Sequence, residues 1–446
     1  MRNRLSFGIG RGKGLAVALA TLLALAMGCG GGGAKETQTT AATPGGQAAA
    51  ATATRAATLS PIKIGVMADL ASTTAIEGAE MRIATELAIQ TINAAGGIHG
   101  HPLQAVYVDT KADPAEAVRA AQQLVQQDRV DVLVGAVLSS QCLAVQELAP
   151  KLGVVYVAST GCATNDFSGK SCNRFSFRVQ SVGSMTAGAL AKYLVQTYGK
   201  RWAIIYPDYA FGHSQLAAYT AALEQQGGSI ITKIAVPLGE ANMTPYVSKI
   251  PLDGSVDGLI NSLIGTDLAR ATAVMEQFGV NKRLPIVGAG GKERFGGVYP
   301  EALTGSIFIQ GNPSDPLPNN PAHQNFIKAF KEQAAKMGNL VDVLGGPEKA
   351  VPGELGYHAW AAIMALKNAM IASRFTGRAD TEKLIAAMET LNIPQGPDFP
   401  AGPFMMNKSD HQGRWQLYIM RINGQTEEIL QTIPPDQVPL IGNCKV

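Results

Sequence analysis

Short apolar runs alternate along residues 61–446 with segments whose apolar residues recur at helical spacing. Residues 130–137 form a continuous apolar run, which is typical of a parallel strand covered on both faces. The segment after Asp113-Pro114 is predicted to be an amphipathic helix, with Asp as the N-cap and Pro at the first position. The same criteria predict further strands at 62–66, 103–108, 154–158, 203–206, 230–236, 258–264, 284–287 and 415–422, and helices at 78–93, 141–152, 184–198, 212–226, 266–278, 321–337, 353–372 and 380–389.

This alternation of strands and helices runs up to Arg178 and then starts again. Each series has the pattern of an open parallel sheet with helices on both faces. The folded part of the chain is also longer than the about 250–300 residues that one hydrophobic core supports. The sequence therefore predicts an α/β protein with two doubly wound lobes.

Residues 1–28 have the features of an export signal. Basic residues precede an apolar run at 15–26, and the small residues Ala26 and Gly28 lie close before Cys29. The run is shorter than the about 20 residues that a transmembrane helix needs. The arrangement resembles the lipobox of bacterial lipoproteins, although Ala26 stands where that family usually has Leu. The resemblance implies a lipid on Cys29; an ordinary signal peptide cleaved near Gly28 is the alternative.

Residues 29–60 contain mainly Gly, Ala, Thr and Gln, with almost no large apolar side chain. Such a segment cannot bury enough apolar surface to offset the entropy lost on ordering. We therefore predict a flexible tether that ends at Pro61.

The charge of the chain is nearly balanced, with a formal net charge of +3. Basic residues are not clustered among aromatic ones, which disfavours a nucleic acid as the partner. If Cys29 carries lipid, four cysteines remain, and four cysteines in an exported protein allow three disulfide pairings. Buried free thiols are the alternative, and the spacing does not match a zinc site.

The sequence lacks the motifs of several enzyme classes. No Gly-x-Ser-x-Gly motif is present. The glycine-rich segment 288–292 departs from a phosphate-binding P-loop at Ile286 and Glu293, and residues 68–71 lack the glycines of a dinucleotide-binding turn. We therefore predict a binding protein and not an enzyme, without cofactor or metal.

Several motifs follow one another in an order that resembles a known family. The segment Asn93-Ala94-Ala95-Gly96-Gly97-Ile98-His99-Gly100 is followed by the loop Ser139-Ser140 and by Asp208-Tyr209-Ala210-Phe211-Gly212. These segments are similar to the periplasmic leucine/isoleucine/valine-binding family of ABC-transporter solute receptors. The resemblance implies two Rossmann-like lobes joined by three hinge crossovers, a type I periplasmic binding protein. It places lobe one at 61–178 and 312–415, and lobe two at 179–311 and 416–446.

The resemblance also implies a ligand site between the lobes. Ser139 matches a family serine that holds the ligand carboxylate. The hydroxyl of Ser140 and the free N–H groups of a helix N-terminus would complete an anion cradle. A second family contact region matches Ser159 and Thr160. On lobe two, Phe211 aligns with an aromatic residue that closes over the ligand, and Tyr209 is its neighbour.

The carboxylate that receives the ligand ammonium in this family is not matched here. Gly290 stands at the aligned position, Glu293 lies three residues further on, and Glu77 aligns with a family aromatic residue. Either glutamate is a candidate ammonium partner, and both could equally be surface charges. We expect a neutral amino acid with a branched or aromatic side chain as the ligand, with an amide or an aromatic carboxylate as the alternative.

The resemblance further implies a partner, a location and disulfides. The partner is a membrane ABC permease, and the location is periplasmic or at the cell surface, on a lipid anchor. A ligand-sensing receptor domain of the same fold is the alternative function. Relatives carry cysteines near the positions of Cys172 and Cys444, which implies a bridge between them. A second bridge is expected between Cys142 and Cys162.

Overall fold

The computed structural model describes residues 59–288, 290–440 and Cys444. The predicted signal at 1–28, the lipid on Cys29 and the tether up to residue 58 lie outside the described residues. The strands are β1 Ile62–Ala68, β2 Leu103–Asp109, β3 Val132–Gly135, β4 Val155–Ala158, β5 Ser176–Arg178, β6 Arg201–Pro207, β7 Ser229–Val236, β8 Gly258–Asn261, β9 Ile286–Val287, β10 Ile307–Gln310, β11 Asn392–Ile393, β12 Phe404–Asn407, β13 Gln412–Trp415, β14 Leu417–Asn423 and β15 Thr426–Ile433. The α-helices are α1 Ala75–Ala94, α2 Pro114–Gln126, α3 Ser139–Leu152, α4 Gly183–Thr197, α5 Ala210–Gln225, α6 Thr244–Val247, α7 Gly265–Gln277, α8 Pro321–Ala334, α9 Glu354–Ser373 and α10 Thr381–Met388.

The strands form two sheets, and the core of each lobe lies between a sheet and its helices. The order in the first sheet is β11-β12-β13-β5-β4-β3-β1-β2, and that in the second is β15-β14-β10-β9-β8-β6-β7. The strands from β1 to β5 run parallel to one another, as do those from β6 to β10. The two-lobed α/β fold predicted from the sequence is therefore confirmed. The first sheet with its helices is called lobe one below, and the second sheet with its helices is lobe two.

Local sequence signals explain why the elements begin where they do. The carboxylate of Asp113 accepts a hydrogen bond from the backbone N–H of Glu116 at 2.8 Å, so the predicted N-cap of α2 is confirmed. The short strands β3 and β4 are buried along their whole length, as expected for the centre of a parallel sheet. Helix α3 begins at Ser139, two residues earlier than predicted.

The chain crosses between the two sheets after β5, after β10 and between β13 and β14. The predicted strand at 415–422 is therefore wrong as a single element: it is two strands in different sheets, separated at Gln416. The apolar pattern continues without a break across these residues, because β13 is buried in lobe one and β14 is buried in lobe two. Strand β15, which pairs antiparallel with β14, was missed because its burial is partial and gives little periodicity.

The segment after β15 returns to lobe one. The carbonyl oxygen of Val438 accepts a hydrogen bond from Arg414 of β13, and Cys444 forms a disulfide with Cys172. The bridge implied by the resemblance is thus present in the structure. The boundary that assigns all of 416–446 to lobe two does not describe this segment, and the remaining lobe boundaries stay a prediction.

The second predicted bridge, between Cys142 and Cys162, is absent from the structure. Both residues are free thiols with no exposed surface. They belong to the apolar cluster between α3 and the first sheet, where a thiol packs as a small hydrophobic group. Burial raises the pKa of Cys142 well above its usual value, so the reactive thiolate is disfavoured.

Among residues 59–288, 290–440 and 444, no helix has both the length and the apolar character needed to cross a lipid bilayer. The same residues contain no group of three or more His, Cys, Asp or Glu side chains arranged to hold a metal ion.

Candidate functional site

A cavity of about 150 Å³ lies between the lobes, at the carboxyl ends of strands from both sheets. Loops after β3 and β4 form its wall on lobe one, and loops after β6, β8 and β9 form its wall on lobe two. Open α/β sheets bind ligands at this edge. The apolar side chains of the lining are those of Val137, Ala163, Val182, Phe211, Leu263, Ile264, Phe308, Ile309 and Leu355. A cavity of this size accommodates a group about as large as benzene.

Glu77 reaches the cavity from the first turn of α1, which is pressed against the end of β1. A Cβ atom on Gly78 would lie 1.6 Å from the carbonyl oxygen of Asp69, so only glycine allows this close approach. The carboxylate of Asp69 is itself buried and accepts hydrogen bonds from the hydroxyls of Thr74 and Thr110. The sequence therefore fixes both the start of α1 and the position of Glu77.

A second close approach shapes the floor of the cavity on lobe one. Gly161 has a φ angle of 73°, and a Cβ atom on it would lie 1.6 Å from the carbonyl oxygen of Val137. The residues after Gly161 are held by the buried guanidinium of Arg178, which donates hydrogen bonds to the carbonyl oxygens of Cys162 and Thr164. Burial lowers the pKa of Arg178 to about 10, which leaves it charged at neutral pH.

The four hydroxyl residues that the resemblance implied as ligand contacts do not line this cavity. Ser139, Ser159 and Thr160 have no exposed surface. The hydroxyl of Ser139 donates to the carbonyl oxygen of Gly161 at 3.3 Å, and that of Thr160 to the carbonyl oxygen of Leu355 at 3.4 Å. Ser140 is half-buried and also lies outside the lining. Their role in ligand binding stays a prediction, while the neighbouring Val137 and Gly161 line the cavity.

The aromatic residues predicted on lobe two do line the cavity. Tyr209 precedes α5 and Phe211 lies in its first turn, with ring centroids 6.0 Å apart. Burial raises the pKa of the Tyr209 hydroxyl well above its usual value, so it is neutral. Both side chains line the same cavity as Glu77 of lobe one, and their role in covering a ligand stays a prediction.

Glu293 lies behind the cavity wall instead of lining it. Its carboxylate accepts a hydrogen bond from Ser314 at 3.4 Å and contacts the guanidinium of Arg294 at 3.4 Å. Burial raises the pKa of Glu293 to about 7. Gly290 lines the cavity, and a Cβ atom there would lie 2.1 Å from the ring of Phe308. The phenyl ring therefore explains why no carboxylate occupies position 290.

Arg294 is a cavity residue that the sequence analysis missed. Its guanidinium, on lobe two, lies 3.7 Å from Glu77 on lobe one. Burial would lower the pKa of Arg294, but the surrounding carboxylates of Glu293, Glu77 and Glu80 outweigh it and raise the pKa. The signal was present as the Glu293-Arg294 pair, but nothing in the spacing indicated which of the two charges faces the cleft.

Glu354, also missed, connects the cavity to two of the crossovers. One of its carboxylate oxygens accepts hydrogen bonds from the hydroxyl of Ser181 at 3.0 Å and from the backbone N–H of Gly311 at 3.3 Å. Ser181 follows β5 and Gly311 follows β10. His358 lines the cavity one turn further along α9, and burial lowers its pKa to about 3, so it is neutral.

Comparison with known proteins agrees with this geometry. The family model described as periplasmic binding protein matches residues 61–427. The chain belongs to this family. It is a family of binding proteins and not of enzymes, so the enzyme classes excluded from the sequence stay excluded. The family is one of exported proteins that act in the periplasm.

Individual proteins match the chain with low sequence identity. A Leu/Ile/Val-binding protein homolog of Brucella melitensis is 27% identical over 195 residues, covering 44% of this chain and 52% of that protein. A Leu/Ile/Val-binding protein of Rhizobium johnstonii is 25% identical over 316 residues, or 69% of this chain and 83% of that protein. The first match thus spans about half of the relative's length. A solute-binding protein of an ABC transporter from R. palustris, solved with benzoate, has a TM-score of 0.74 at 19% identity and covers 86% of this chain and 100% of that chain.

Proposed function

We propose that the protein is the extracytoplasmic receptor of an ABC importer, and that it binds a small polar solute in the cavity between its lobes. The observation that carries this proposal is the cavity itself, because it lies at the carboxyl ends of both sheets and is built from both lobes. A ligand there contacts both lobes and so favours the closed arrangement over an open one. A membrane permease is the partner that this function requires.

The first candidate ligand is a neutral amino acid with a branched or aromatic side chain. The cavity combines apolar walls with the charged groups of Glu77, Glu354 and Arg294, which suits a small molecule that is zwitterionic at one end and apolar at the other. Matching relatives named as Leu/Ile/Val-binding proteins support this candidate. Ser139, Ser140, Ser159 and Thr160 remain proposed contacts if the cleft rearranges around the ligand.

The second candidate is an aromatic carboxylate. Tyr209, Tyr219, Phe211 and Phe308 contribute aromatic rings to the lining. The structurally similar protein from R. palustris was solved in complex with benzoate. An aromatic acid would place its ring among these side chains.

We expect a thermal-shift screen to separate these candidates. A ligand that binds the folded protein at a concentration of about 100 times its Kd adds about 2.7 kcal/mol to the free energy of unfolding, which is a clear rise in the melting temperature. Leucine, isoleucine, valine and phenylalanine are expected to stabilise the protein more than benzoate or 4-hydroxybenzoate. If none of these solutes raises the melting temperature, the proposed ligand classes are wrong.

We further propose that Cys29 is lipidated and anchors the receptor to a membrane. The charged start, the apolar run at 15–26 and the small residues before Cys29 support this proposal. Mass spectrometry of the membrane fraction is expected to find an acylated cysteine at the mature N-terminus, and Cys29→Ala is expected to abolish this species. A mature protein whose N-terminus lies elsewhere would contradict the proposal.

A further inference from the structure

Carboxylates outnumber cations at the wall of the cavity. The guanidinium of Arg294 is surrounded by Glu77, Glu80, Glu293 and Glu354, which all act on its charge. Two of these glutamates, Glu77 and Glu354, line the cavity itself, and Arg294 is the one cationic side chain in the lining formed by the described residues, since His358 is neutral. Burial raises the pKa of each of the four glutamates, as expected where positive charge is scarce.

Glu77 is the least satisfied of these carboxylates. Its side chain is 4% exposed, and neither of its oxygens makes a hydrogen bond of normal geometry among the described residues, although the backbone N–H groups of Glu77 and Gly265 favour its charged form. Its contact with Arg294, at 3.7 Å, is longer than the about 2.7–2.9 Å of a charge-assisted hydrogen bond. The other three glutamates all accept hydrogen bonds: Glu80 from the backbone N–H of Gly353, Glu293 from Ser314 and Glu354 from Ser181.

A buried carboxylate without hydrogen-bond donors is costly, and the missing donors can enter from the cavity. We propose that Glu77 receives an ammonium group of the ligand, while Arg294 stays with Glu293. This inference rests on the proposed function and narrows it to solutes that carry an amine. A carboxylate without an amine would instead add a negative charge beside Glu77 and Glu354.

This assignment places the ammonium site on lobe one. Gly290 on lobe two has no room for a carboxylate because of the ring of Phe308, and Glu293 is turned away behind the wall. Lobe two contributes the cation Arg294 to the cavity instead. Arg294 and the ligand amine therefore compete for Glu77 when the lobes close.

Calorimetry with matched ligands tests the proposal. Each set consists of an amino acid, the amine without its carboxylate and the acid without its amine: leucine, 3-methylbutylamine and 4-methylpentanoate, or phenylalanine, 2-phenylethylamine and 3-phenylpropanoate. We expect Glu77→Gln to weaken the amino acid and the amine by at least about tenfold, because an ammonium would lose its buried counter-ion. The acids are expected to bind unchanged or more tightly.

The control is Glu116→Gln, the same substitution on lobe one at a carboxylate that pairs with Arg119 and does not line the cavity; we expect affinities within about threefold of the unsubstituted protein. The double variant Glu77→Gln/Arg294→Met removes the opposed charges together and must show the same loss of amine binding. If Glu77→Gln alone destabilises the fold by leaving Arg294 without this partner, the double variant still tests amine binding. The free energy of unfolding of every variant is measured together with its affinities.

The outcomes distinguish this inference from the function on which it rests. If amino acids bind and Glu77→Gln weakens them by less than about tenfold, the ammonium site is not at Glu77, although the receptor function stands. If the unsubstituted protein binds the acids but neither the amines nor the amino acids, the inference is wrong and the aromatic-carboxylate function is favoured. If no ligand of either set binds, the proposed ligand class fails and this inference fails with it.

Discussion

Replacing Arg178 by glutamine is expected to lower the free energy of unfolding by about 3–5 kcal/mol and to abolish ligand binding. Arg178 has no exposed surface and donates hydrogen bonds to the carbonyl oxygens of Cys162 and Thr164 and to the side chains of Ser168 and Gln412. A shorter, neutral side chain leaves several of these acceptors buried without a donor. The segment that follows Gly161 at the cavity wall then loses its support.

Urea denaturation followed by circular dichroism measures this effect. Arg174→Gln is the matched control, because Arg174 lies four residues earlier and pairs with Glu382 at the surface, where its side chain is 47% exposed. Such a pair contributes at most about 1 kcal/mol. Arg178→Lys is also expected to be destabilising, since one ammonium cannot replace a planar fork of donors. If Arg178→Gln lowers the free energy of unfolding by less than about 1 kcal/mol, the segment after Gly161 is stable without the hydrogen bonds from Arg178.

The disulfide between Cys172 and Cys444 is expected to contribute about 2–5 kcal/mol to the free energy of unfolding. It closes a loop with a sequence separation of 272 residues and joins Cα atoms that lie 5.7 Å apart. Opening it by the double substitution Cys172→Ser/Cys444→Ser frees the segment that follows β15 from lobe one. The unfolded chain also regains the conformational entropy that the closed loop removes.

Denaturation with and without dithiothreitol isolates the contribution of the bridge. The reductant is expected to destabilise the unsubstituted protein and Cys142→Ala by the same amount, because Cys142 is a free thiol. It is expected to leave Cys172→Ser/Cys444→Ser unchanged. If the reduced and oxidised proteins are equally stable, the segment after β15 stays on lobe one through its other contacts, and the disulfide adds nothing to the free energy of unfolding.

The fold could be predicted because burial leaves a clear pattern in the sequence. Fully buried strands such as β3 and amphipathic helices such as α2 each have one periodicity, and their order determines the class of fold. The crossover at Gln416 could not be predicted in this way. A chain that passes from one core directly into another keeps its apolar pattern, and nothing in the pattern indicates that the sheet has changed.

The site could be predicted in part. Glu77, Tyr209 and Phe211 line the cavity, but Ser139 does not, because its hydroxyl is turned to the carbonyl oxygen of Gly161 within lobe one. A serine at a helix N-terminus has partners within its own lobe as well as in a ligand, and the sequence does not decide between them. Arg178 could have been noticed, since a charged residue within a buried strand such as β5 requires an explanation. Its partners are far apart in the sequence and could not have been named.

Glu354 connects two of the crossovers between the lobes to the cavity. One oxygen of its carboxylate is shared by Ser181 and Gly311, which lie on different crossovers, and the same side chain lines the cavity. A rotation of one lobe against the other must stretch one of these two hydrogen bonds or carry the carboxylate with it. A single carboxylate thus links two crossovers and also lines the cavity. A solute that binds this carboxylate would therefore contact a group that is hydrogen-bonded to residues of two crossovers.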